Sequence, residues 1–164
     1  MHEIWPGADL TGPEPDLLKK AIEPDLRSLE NDCEKRSTFA DLAMASISLG
    51  SLGKGIIVLM SGSCVCGVTG NCPIYLYVRA KGSYANVLGG AGWAFGLIDS
   101  KNRVPDLVLA SNAGGGHVLL RLYRYSDGKF AHQNCEMLTA KNGEFAPKNW
   151  WDPSEVSVQP SAGD

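Results

Sequence analysis

Apolar positions recur along this chain with two different rhythms, and the change falls near Phe39. Between Glu14 and Arg36, Leu18, Ile22, Leu26, Leu29 and Cys33 lie three or four apart, the spacing of one helical face. Twelve of these 23 residues are charged and read as a solvated outer face. Pro24 would cost a helix interior one hydrogen bond, so the pattern predicts a break near Glu23, with Pro24 opening a second helix.

From Phe39 onward the apolar residues gather into short runs: 42–49, 55–60, 73–79, 84–88, 93–99, 107–110, 118–125 and 130–136. Ala80-Lys81-Gly82-Ser83, Ser100-Lys101-Asn102 and Ser126-Asp127-Gly128-Lys129 separate some of them with residues that favour turns and positive φ, so neighbouring runs are expected to pair as antiparallel hairpins. No stretch between them is long enough for a helical crossover, which argues against a parallel sheet. Residues 74–84 also line up with residues 120–130, 46 positions on, each copy preceded by an apolar strand and a glycine-rich loop. Two copies are too few for a solenoid or propeller, so a duplication within one sheet is expected.

The fold class that follows is α+β: N-terminal helices packed on a curved antiparallel meander of seven or eight strands with a two-fold internal repeat. Residues 1–13 form an arm, 14–138 a single domain with helices over 14–36 and sheet over 40–138, and 139–164 a tail docked through Trp150 and Trp151. Strand alternation puts Ile74, Leu76 and Val78, with Leu120 and Leu122, on the face expected to meet the core and helices. Tyr75, Tyr77 and Arg79, with Arg121, Tyr123 and Tyr125, fall on the other face. Tyr and Arg are enriched at binding surfaces, which makes these six the candidate binding residues.

Composition narrows the partners. The chain has 164 residues, the size of one domain, and a net charge of -3, so no basic field collects phosphates and nucleic acid is an unexpected partner. No apolar run approaches the roughly 20 residues of a membrane span. The opening Met1-His2-Glu3-Ile4-Trp5-Pro6 has neither a basic nor an apolar signal region, which fits either a cytosolic chain or the mature part of an exported one.

Candidate chemistry sits in Ser61-Gly62-Ser63-Cys64-Val65-Cys66-Gly67-Val68-Thr69-Gly70-Asn71-Cys72-Pro73, which holds three of the five cysteines. Such clustering favours an oxidising compartment, periplasmic or secreted. Glycines between Cys66 and Cys72 let the segment curl into a disulfide, with Cys64 to Cys72 the other local option. Cys33, Cys64 and Cys135 then share a further bridge at most. A zinc site would need paired knuckles. The remaining donors do not supply them, because His132 and Cys135, three apart on a strand, are expected on opposite faces. No metal or cofactor is therefore expected. Cys64 with His117 could form a nucleophile and base only if the two glycine-rich loops share one end of the sheet.

Gly62-Ser63-Cys64-Val65-Cys66-Gly67 resembles the G-S-C-x-C-G opening of the glutathione-dependent formaldehyde-activating enzymes, a zinc-binding β fold. That family's later C-x-C-x-x-C knuckle has no counterpart here, since only Cys135 follows Cys72. The order of strand, Cys66-Gly67-x-Thr69-Gly70-Asn71-Cys72-Pro73, aromatic strand, hairpin, Asp106-Leu107-Val108 and Tyr123-Arg124-Tyr125-x-Asp127-Gly128-Lys129-Phe130 is similar to small bacterial proteins that carry export signals. This likeness implies an exported α+β domain and leaves the activity open. The expected function is a non-catalytic binding or inhibitor-like module for a protein or small-molecule ligand. The alternative is a small cysteine-centred enzyme or zinc protein using Cys64, Cys66, Cys72 and His117. Oligomeric state is left open.

Overall fold

The computed structural model describes residues 12–29, 42–60, 65–98, 103–139 and 159–160. All eight apolar runs form strands: β1 (Leu42–Ser48), β2 (Lys54–Met60), β3 (Cys72–Ala80), β4 (Ser83–Gly92), β5 (Ala94–Ile98), β6 (Asp106–Gly114), β7 (His117–Ser126) and β8 (Lys129–Thr139). They divide into two antiparallel sheets rather than one, in the orders β1-β2-β3-β4 and β8-β7-β6-β5, and neither closes. A two-residue strand, β9 (Gln159–Pro160), pairs with β5 at the edge of the second sheet.

The split occurs where β4 and β5 fail to form the expected hairpin. Gly89-Gly90-Ala91-Gly92 contains no reversing turn, and the chain runs on through Trp93 into the other sheet. There the Trp93 amide donates to the Ala110 carbonyl at 2.9 Å. A Cβ on Gly92 would collide with that same carbonyl oxygen, so glycine is what permits the close crossing.

Helix α1 (Glu14–Leu29) runs unbroken through Pro24. The expected break is absent because Lys20, whose carbonyl loses its partner to Pro24, is on the exposed side, where water can take the bond. Burial of Leu18 and Ile22 against the first sheet keeps the two halves in line. The continuation expected to Arg36 lies outside the described residues, as do residues 1–11 of the arm and Trp150 and Trp151 of the tail.

Three layers result. Ala45, Ile57, Leu59, Ile74, Leu76 and Val78 of the first sheet pack on Phe95, Leu107, Leu109, Tyr123 and Phe130 of the second. The other face of the first sheet carries Ile56, Val58, Met60, Tyr77 and Tyr84, and this face meets α1. The helix thus sits on the opposite face from the one alternation predicted, and Leu120 and Leu122 belong to a separate cluster on the outer face of the second sheet. Alternation sorted β3 and β7 correctly into two faces. It could not say which face met which layer when both are apolar.

The repeat is realised as one four-stranded meander per sheet, not as a duplication within one. Ala45 opposite Ile57 recurs 51 positions on as Gly96 opposite Val108. Leu76 opposite Leu88 recurs 46 positions on as Leu122 opposite Asn134. A β-bulge falls at the same place in both copies, leaving Val87 and Gln133 as the extra residues. Both copies also turn through positive φ at two successive residues, Lys81 (45°) and Gly82 (81°) in one, Asp127 (50°) and Gly128 (83°) in the other.

Candidate functional site

The two copies differ most in the loop between their second and third strands. In the second copy Gly115 and Gly116 suffice. In the first, the chain from Met60 to Cys72 is longer and carries the cysteine cluster. Both loops lie at the same end of the sandwich, because β2 and β6 run toward it and β3 and β7 leave it.

Cys66 and Cys72 are joined by the expected disulfide. Between them Gly67-Val68-Thr69-Gly70 makes a turn in which the Gly70 amide donates to the Gly67 carbonyl at 3.3 Å. Gly67 and Gly70, at φ 63° and 71°, occupy the left-handed region that favours glycine. Val68 at the corner is fully exposed.

Asn71 fixes the other side of the loop. Its Nδ2 donates to the Asn112 carbonyl at 2.8 Å and to Thr69 Oγ1 at 3.0 Å, while its Oδ1 accepts from the Asn112 amide at 2.6 Å. One side-chain amide therefore pairs with both backbone groups of Asn112, as a strand neighbour would, and ties the first copy's loop to the second copy's hairpin. Asn112 Oδ1 in turn accepts from the Gly114 amide at 3.0 Å. Sequence reasoning missed this clamp, although an Asn inside each of two glycine-rich loops was a visible signal.

Among the described residues the two loops carry no charged side chain of their own. No Asp, Glu, Lys or Arg occurs between Lys54 and Arg79, nor between Asp106 and Arg121. His117 opens β7 beside the hairpin tip and is half-buried. The two loops do share one end, but Cys64 lies outside the described residues. Cys66 and Cys72, bonded to each other, have no thiolate to offer a metal or a substrate. Among the described residues no cluster of three or more His, Cys, Asp or Glu could hold a metal ion.

The remaining cysteines are only partly placed. Cys135 is a free, exposed thiol on β8, which removes it from the expected further bridge. Cys33 lies outside the described residues. Cys135 faces Arg121 and His132 faces Tyr123, so the two share a face. The bulge at Gln133 reverses the alternation that predicted opposite faces, and His132 stacks edge-on against Tyr123 with ring centroids 5.6 Å apart.

The six Tyr and Arg residues do not form one surface. Tyr75, Tyr77 and Arg79 lie on the helix side of the first sheet, whereas Tyr123 is buried between the sheets beside half-buried Tyr125. Tyr77 is fully buried, and its hydroxyl donates to Asp25 Oδ2 on α1 at 2.6 Å, where Asn86 Nδ2 also donates at 3.0 Å. At the other end of α1, Glu14 Oε1 accepts from Arg79 at 3.1 Å and from the Tyr84 hydroxyl at 3.2 Å. Two carboxylates that sequence alone read as solvated charge thus pin the helix to the sheet. Burial and then the Asp25 contact push the Tyr77 hydroxyl well above the usual tyrosine range. Burial likewise raises Tyr75, Tyr84 and Tyr123. Arg121 donates to Ser111 Oγ at 2.7 Å.

The described residues define a two-sheet antiparallel fold, mostly β, with one covering helix and a disulfide-closed loop at one end. No known protein family, curated protein or solved structure matches the chain.

Proposed function

We propose that this protein is a non-catalytic, exported binding module that recognises a partner protein through its loop end. The observation that carries this reading is the fully exposed Val68 on a turn fastened by a disulfide on one side and by Asn71 on the other. An exposed apolar side chain normally costs solubility, and a loop normally pays conformational entropy when it binds. A loop fastened in advance pays less of that entropy on association. The tip is convex, so it fits a pocket on another protein better than it could enclose a small molecule, whose sites are concave. A disulfide in a small domain supports an oxidising compartment, periplasmic or secreted.

The lack of Asp, Glu, Lys and Arg in the two loop segments themselves gives a contact made by the tip a signature. Ionic strength should leave its strength nearly unchanged, because only charged contacts are screened. The test is capture from envelope extract on immobilised protein, comparing the native chain with Val68→Asp at low salt and at roughly 0.5 M salt. A partner retained at both salt concentrations and lost with Val68→Asp is the expected result. Equal capture by both proteins would sink the reading.

A further inference from the structure

The disulfide and the amide clamp act on adjacent residues. Cys72 is covalently held to Cys66, and Asn71, the residue before it, makes two hydrogen bonds to the Asn112 backbone. The geometry of the Asn71 side chain therefore depends on a closed ring of seven residues, two of them glycines in the left-handed region. Opened, that segment keeps the 3.3 Å turn hydrogen bond and the Asn71 to Thr69 contact within itself, and regains the freedom of both glycines.

We infer that the Cys66–Cys72 bond is a redox switch that sets whether the loop end is formed, an inference that rests on the reading of this loop as the recognition surface. The co-reactant is a dithiol reductant. Its thiolate attacks Cys66 Sγ, the more accessible sulfur, since Cys66 is half-buried whereas Cys72 is 8 % exposed. The bond between the two sulfurs breaks, and Cys72 leaves as a thiolate and takes a proton from water. The reductant's second thiolate then displaces Cys66 from the mixed disulfide, so two electrons pass from the dithiol to the cystine and the reductant departs as a disulfide. Asn71 then loses its fixed position, the Asn112 amide loses its acceptor, and the first copy's loop comes away from the second copy's hairpin, while the crossing at Trp93 still joins the two sheets. Val68 is no longer held out.

Amide hydrogen exchange of the isolated protein tests the switch without needing the partner. In the oxidised protein the Asn112 amide is protected by Asn71 Oδ1. On full reduction with a dithiol, verified by alkylation of both cysteines, Asn112 is expected to exchange roughly tenfold faster or more, while Val108 and Leu109 within β6 keep their rates. The double substitution Cys66→Ser with Cys72→Ser should reproduce this without reductant. Unchanged Asn112 protection in the reduced protein overturns the inference, and so does equal acceleration throughout β6, which would make the bond a support of the whole fold. Val68→Asp separates this from the recognition reading, because it should abolish capture and leave Asn112 protection unchanged.

Discussion

At the scale of single residues, Asn71 does the work of a strand neighbour from a loop position. Its amide offers a donor and an acceptor at the spacing of a peptide group, and Asn112 takes both. Asn71→Ala leaves the Asn112 amide and carbonyl without these partners in an exposed loop, so the cost should be about 1 kcal/mol, the net value of an ordinary hydrogen-bonded contact. Urea unfolding measures it, and Asn112 exchange should quicken in the same variant. A cost near zero would mean that water replaces the clamp without loss. Tyrosine gives a second expectation at this scale. Tyr75, Tyr77, Tyr84 and Tyr123 all have folded-state values raised above the ordinary one of about 10. The folded protein therefore binds these protons more tightly than the unfolded chain. Their contribution is complete below about pH 10 and is lost progressively as pH rises beyond it. Thermal melts across that range should show a falling midpoint, and an unchanged midpoint would mean that these four hydroxyls do not contribute.

At the scale of elements, α1 shows how far local signals reach. The spacing of Leu18 and Ile22 was enough to place the helix and its buried face, and both residues are fully buried. Pro24 was misread because propensity treats a lost hydrogen bond as decisive, whereas an exposed carbonyl can be satisfied by water. Pro24→Ala restores the bond and should stabilise the protein by about 1 kcal/mol or more, part of the roughly 3 kcal/mol penalty of proline in a helix interior. Chemical denaturation of the two proteins gives the difference, and a loss of stability would show that the proline geometry is itself required. The strands were equally legible, since apolar runs bounded by Lys81-Gly82 and Asp127-Gly128 announce hairpins by chemistry that only such turns require. The passage from β4 to β5 was not legible. Its glycines look like a turn, and only the approach of Gly92 to Ala110 reveals a crossing between layers. The disulfide could be read from spacing and glycine content, while the partition of the Tyr and Arg residues could not, because it depends on which layer covers each face.

At the scale of the whole molecule, one core is shared by both sheets. Leu76 contributes to it from the first sheet and Leu109 from the second, and both are fully buried. Truncating either to Ala should cost about 2 to 5 kcal/mol, and calorimetry should still show a single transition, because neither sheet can keep its inner face dry alone. Two resolved transitions would mean that the halves fold independently. The core also explains why sequence similarity between the copies is faint while their registers agree. The face of the first sheet that meets α1 corresponds, position by position, to the face with which the second sheet meets the first: Ile56 to Leu107, Val58 to Leu109, Tyr77 to Tyr123 and Tyr84 to Phe130.

The halves are accordingly related like successive steps of a staircase, not like two hands pressed together. A paired-hands arrangement finishes itself, whereas a flight of steps has no intrinsic last tread and must be ended by something of a different shape. In this molecule that landing is α1, which rests on the first sheet where another step would otherwise begin.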